Sequence, residues 1–113
     1  MISAAVTHGD TIEVPIGDTI ADGLSGNLEP GAITADIIRS HGVRLLAAPE
    51  QDLHRTVRWL VRNHGLVTEG AGAAPLAAQL AGAIGGTNGD VVLVVSGRNI
   101  ALPKLAAILA EPD

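Results

Sequence analysis

The run VVLVV at residues 91–95 sets the terms on which this chain can fold. Four valines and a leucine with no polar residue among them have the character of a strand buried on both faces, as in a parallel sheet covered by helices. The run stops abruptly at Ser96, Gly97, Arg98 and Asn99, and an amphipathic helix is expected over 102–109, stopped by Pro112. Counting along the strand puts the Ser96 hydroxyl at its carboxyl end, where open parallel sheets bind ligands. The alternative role for that hydroxyl is to cap the following turn through the local backbone.

The rest of the chain alternates in the same manner. Residues 1–9 read as the last turns of a helix ending near Gly9, and 11–16 as a short strand with Pro15 at an edge or end. Residues 17–31 lack periodicity and form a glycine-rich loop of a length that suits a functional site. Thr34 is placed to cap a helix that runs through Ile37 and Ile38 to Gly42, and 43–48 is then a strand closed by Pro49. Pro49 also opens a helix with Glu50 and Asp52 at its positive end, and Leu53, Val57, Leu60 and Val61 form its apolar stripe up to Gly65. Residues 70–84 are small and apolar on nearly every side, as a helix between layers would be, with Pro75 best placed in its first turn. GGTNGD at 85–90 is a turn. The expected fold is therefore α/β, a partial parallel sheet flanked by helices within one partial domain spanning 1–113. Roughly three strands are fewer than the about five or six of an average sheet.

Composition narrows the function. Trp59 is the only aromatic residue, so the core is built from aliphatic side chains and a base-stacking surface is not expected. The net charge of -5 and the absence of a basic cluster argue against nucleic-acid binding. The chain has no cysteine, no signal-like N-terminus and no apolar window long enough to span a membrane, which fits a soluble cytoplasmic protein. His8, His41, His54 and His64 have no metal-ligand spacing, and His54 and His64 are expected on a solvated helix face. Asp18, Asp22 and Glu29 suit turns rather than acid-base pairs. Glu69, just before the glycine-rich helix, either caps that helix or faces a ligand. Neither GAG nor GGTNGD matches a phosphate-loop pattern. Lys104 is expected to face solvent near a helix C-terminus.

Three blocks in order, TIADGL, EGAGAA and SGRN, give the chain a family likeness over nearly its whole length. It resembles the C-terminal part of the serine and threonine dehydratases, pyridoxal-phosphate enzymes of the tryptophan-synthase-β-like fold, also called fold type II. The resemblance implies a lyase that eliminates the hydroxyl of a hydroxy amino acid to give a 2-oxo acid and ammonia. It implies that Ser96 contacts the pyridine nitrogen, that Gly23 and Gly97 lie against the cofactor, and that Glu69 and Asn99 stand nearby. A neutral serine at the ring nitrogen makes a weaker electron sink than an aspartate would. Arg98 departs from the more familiar SGGN form, and alters access to the site or marks a subfamily. The lysine that forms the family's Schiff base, in an SxKxRG-like block, and its phosphate-binding glycine loop are both missing, and Lys104 does not replace the first. Without the lysine and the phosphate loop, the chain by itself is expected to show no dehydratase activity. The implied partners are an N-terminal half-enzyme or further copies of the chain, with a small amino acid as substrate once the site is complete. The rival expectation is a non-catalytic interaction or oligomerisation module derived from the same family.

Overall fold

The computed structural model describes residues 2–86 and 88–112. Their regular structure is helical: α1 (Ile2–His8), one 3-10 turn (Asp22–Leu24), α2 (Thr34–Ser40), α3 (Glu50–His64), α4 (Gly70–Leu80) and α5 (Leu102–Ala110). The chain divides into two compact units, Met1–Asp18 with Leu24–Leu45, and Thr19–Gly23 with Leu46–Asp113.

The expected partial parallel sheet is corrected by this structure, since no strand forms among the described residues at 11–16, 43–48 or 91–95. Valine-rich composition expresses a preference for a covered, pleated surface, but a strand exists only where a neighbouring backbone takes its N–H and C=O groups. Among the described residues 91–95 make no backbone-to-backbone hydrogen bond, and Val92 and Val94 are 87% and 69% exposed. Thr87 of the expected GGTNGD turn lies outside the described residues.

In the first unit α1 packs on α2, burying Ala5 and Ala35. Seven residues are too few for a helix to persist alone, so α1 depends on that contact. It ends as expected at Gly9, whose φ of +85° a side chain would resist. Arg39 of α2 pairs with Asp36 at 2.8 Å and donates to the carbonyls of Val6 and Ala5 at 3.3 and 3.4 Å, supplying donors to the end of α1. Thr34 is the first residue of α2 rather than its cap, and Ile33 at the cap position makes no side-chain bond.

In the second unit α3 packs against both α4 and α5. Its start at Pro49 and stop at Gly65 follow the sequence. Gly65 takes a left-handed φ of +63°, its N–H reaches the Val61 carbonyl, and the next N–H reaches Leu60. The buried stripe is Leu53, Val57 and Leu60, set among Ala73 and Ala77 of α4 and Leu105 and Ile108 of α5. The alanines let two helix backbones approach closely. Pro75 falls in the second turn of α4, where its missing N–H costs one bond of the helical ladder.

A polar latch holds the chain beyond α5 against α3. Arg58, buried on α3, pairs with Glu111 at 2.6 Å and donates to the Pro112 carbonyl at 3.1 Å. His54 lies 2.7 Å from the same Glu111 and 3.5 Å from Glu50. His54 is therefore engaged on both ring nitrogens rather than solvated. No helix among the described residues is long and apolar enough to cross a membrane.

Candidate functional site

Residues 66–69 and 96–99 meet at the N-terminus of α4. The buried Thr68 hydroxyl lies 3.0 Å from the Gly97 carbonyl, 3.1 Å from that of Glu69 and 3.2 Å from that of Ser96, its single proton shared among them. The Glu69 N–H donates to the Gly97 carbonyl at 3.2 Å. Glu69 occupies the N-cap position of α4 without a side-chain capping bond, and its carboxylate instead accepts the Asn99 N–H at 2.8 Å. The two loops are thus braced by Thr68 from one side chain and by Glu69 from another. Thr68 was not among the candidate residues, and its only sequence signal is a lone hydroxyl in an apolar stretch before a glycine.

Glycine is required at this junction because backbones pass closely. A Cβ on Gly70 would collide with the Ile20 carbonyl, and one on Gly72 with the Ser96 carbonyl. Gly97, at φ +65°, lies so close to Glu69 that a Cβ there would stand 2.6 Å from the carboxylate. Gly23 brings its backbone up to Ala71 and Glu69, where a Cβ would sit at 3.1 and 3.5 Å. The glycines of EGAGAA therefore serve packing between segments.

The candidate residues divide between two cavities. Ser96, Gly97, Arg98 and Thr68 line one of about 280 Å³ with Leu66 and Val95. Glu69 and Asn99 line another of about 290 Å³ with Ile20, Asp22, Ile100 and Lys104. Gly23 lines neither but adjoins Glu69. The Ser96 hydroxyl makes no hydrogen bond among the described residues, so its turn-capping role is not adopted. Lys104 lies in the first turn of α5, not near its end, and pairs with Asp22 at 2.9 Å.

These groups suit the ring side of pyridoxal phosphate. Ser96 lines a cavity with mostly apolar walls, and a neutral hydroxyl is a group able to hydrogen-bond a ring nitrogen. They do not suit covalent attachment, since the chain's one lysine is committed to Asp22 and lines the other cavity.

Three carboxyls in this unit titrate below their ordinary values. The Lys104 hydrogen bond lowers Asp22 from 3.8. Burial would raise Glu50 from 4.5, but bonds from Thr19, Ile20 and His54 together outweigh it. The His54 hydrogen bond lowers Glu111 from 4.5 against a smaller opposing effect of burial, and Arg58 adds to the lowering. Each folded-state value is depressed, so each group's contribution is complete above its ordinary value and is lost as pH falls through the folded one. Thermal unfolding followed by helical circular dichroism is expected to give a midpoint that falls as the pH drops below about 4.5. An Asp22→Asn, Glu111→Gln double variant is expected to flatten the acid limb, and an unchanged limb would count against these pairs.

Comparison with known proteins agrees with the three sequence blocks. A family model described as pyridoxal-phosphate dependent enzyme matches residues 1–97. The L-threonine ammonia-lyase of Geobacter sulfurreducens is 33% identical over 105 residues, covering 93% of this chain and 26% of that protein. The catabolic L-threonine dehydratase TdcB of Staphylococcus aureus strain USA300 is 30% identical over 103 residues, covering 88% of this chain and 30% of that protein. The matches fall in the C-terminal part of these relatives, of which the chain spans between 26% and 30% of the length.

Proposed function

We propose, since the chain belongs to the pyridoxal-phosphate dependent enzyme family, that it is the C-terminal part of an ammonia-lyase of the serine/threonine dehydratase type. In this reading a hydroxy amino acid loses its α-proton and β-hydroxyl as water, and the unsaturated product then takes up water and releases ammonia to leave a 2-oxo acid. When bound, the cofactor supplies an electron sink for the carbon that gives up its proton. Ser96 donates its hydroxyl toward the ring nitrogen without contributing a charge. Glu69 holds Asn99 and with it the loop that carries Ser96, while Gly97 and Gly23, having no side chain, let their backbones pack against Glu69. The observation that carries the reading is the Thr68–Glu69 brace, which fixes residues 96–99 yet leaves Ser96 lining a cavity with its hydroxyl unbonded among the described residues.

These residues alone are proposed to be inactive, because their one lysine is bonded to Asp22. A second polypeptide in the cytoplasm, bearing a lysine and a phosphate-binding glycine loop, would complete the site, whereas further copies of the chain would supply neither. The exposure of the large apolar residues Val92, Val94, Leu66 and Val67 favours a second reading as a non-catalytic association module.

The chain alone, given pyridoxal phosphate and L-serine or L-threonine, is expected to release no ammonia or 2-oxo acid above the free-cofactor background. Native mass spectrometry of the chain isolated gently from its own cells is expected to show a second polypeptide with the cofactor. In that complex Ser96→Ala should lose about two- to ten-fold of turnover, the worth of a neutral hydrogen bond of ~0.5–1.5 kcal/mol. A chain found only with itself and without cofactor would favour the association module, and turnover by the chain alone would refute the requirement for a partner.

A further inference from the structure

We infer that Glu50 is a positioning residue: from the first turn of α3 it fixes the backbone of Thr19–Gly23 and so sets where Gly23 stands against Glu69 and Ala71. One carboxylate oxygen accepts the Ile20 N–H at 2.5 Å, and the other accepts the Thr19 hydroxyl at 2.6 Å. The same Thr19 oxygen accepts the Ala21 N–H at 3.0 Å. Three consecutive residues are thus tied, directly or through one hydroxyl, to a single side chain some thirty positions further along.

The segment needs such an anchor. Ile20 and Ala21 are buried but precede the 3-10 turn, so no helical ladder takes their amide protons, and a buried donor without an acceptor is costly. With Glu50 holding the amides, the Ile20 carbonyl rests against Gly70 at the start of α4 and Asp22 is held by Lys104. Gly23 follows directly, against Glu69. A carboxylate suits the place because both donors need an acceptor, whereas glutamine offers one acceptor and one donor group. The charged groups around Glu50 are His54 at 3.5 Å, Glu111 and Arg58 beyond it, and Arg55 in the same cavity.

The role matters to chemistry only if the proposed site is right, but the anchoring can be tested without activity. In the full chain, ¹H–¹⁵N spectra over acidic pH should show the Ile20 amide proton moving with ionisation of a carboxyl below pH 4.5, and Glu50→Gln should abolish that titration while keeping the fold. At neutral pH, Glu50→Ala should speed hydrogen exchange at Ile20 and Ala21 at least about ten-fold relative to Val57 and Leu60, a local opening that leaves the core closed. Glu50→Gln should restore part of that protection. An Ile20 titration that persists in Glu50→Gln, or exchange at Ile20 that changes only in step with Val57 and Leu60, would overturn the inference. Failure of the proposed site would appear instead as turnover insensitive to Ser96→Ala in the complex, with these amide results intact.

Discussion

Replacing Gly72 by alanine is expected to destabilise the chain by about 2 kcal/mol or more, although the residue lies inside a helix where alanine is ordinarily the better choice. Helix propensity alone favours alanine over glycine by roughly 1 kcal/mol, so a position free of tertiary contact would gain stability. Gly72 is not free: its missing side chain is the space occupied by the Ser96 carbonyl, with the Thr68 hydroxyl 2.6 Å from where a Cβ would sit. Both neighbours are held, Ser96 by the closely packed backbone and Thr68 by its shared bonds to residues 96 and 97. The Cβ must therefore displace either α4 or the Ser96 loop, and overpacking of this kind costs typically about 1–3 kcal/mol, sometimes more. Differential scanning calorimetry reads the sign, and amide exchange reads the place. Protection at Glu69 and Asn99, whose N–H groups join the two loops, should fall before that of α3. Gly17→Ala, where a Cβ meets nothing within 4 Å, should stay within about 0.5 kcal/mol of wild type. A stabilised Gly72→Ala chain would mean that the loop does not dock on α4.

What could be read in the sequence was local, and what could not was long-range. The starts and stops of α3 were legible because Pro49 and Gly65 impose backbone conformations on themselves, and its buried face because Leu53, Val57 and Leu60 repeat at helical spacing. The valine run misled for the opposite reason: residues 91–95 announce a need for cover but carry no information about which backbone will pair with them. The EGAGAA block was recognisable as a family mark, yet why Gly70 and Gly72 must be glycine depends on Ile20 and Ser96, distant in the chain. The same holds for the ties that make the site. Glu69 to Asn99, Glu50 to Ile20 and Lys104 to Asp22 join positions 30, 30 and 82 residues apart. Lys104 stands third in α5, beside its N-terminus, and what it meets there, Asp22, is again a distant part of the chain.

Truncation of Leu60 is expected to cost about 4 kcal/mol, a large share of the roughly 5–15 kcal/mol by which a folded domain is stable. Leu60 is 3% exposed on α3, the helix that packs against both α4 and α5, whereas those two make no close contact with each other among the described residues. Loss of its side chain weakens the element on which both depend. The cost should lie toward the upper part of the about 2–5 kcal/mol found for buried leucine because the site cannot collapse. The buried residues that α4 contributes to the cluster are Ala73 and Ala77, whose short side chains fill little of such a void, while Leu76 packs only at its margin. Leu66→Ala, at a half-exposed position just beyond α3, is expected to cost no more than about 1 kcal/mol. Denaturant unfolding of the two variants measures the difference, and a Leu60 cost no larger than that of Leu66 would mean that the α3 stripe is not the core. The pattern of exchange separates this defect from that of Gly72→Ala. Leu60→Ala lowers protection throughout α3, α4 and the braced loops together, because it loosens the support of the site while leaving every contact within it chemically unchanged.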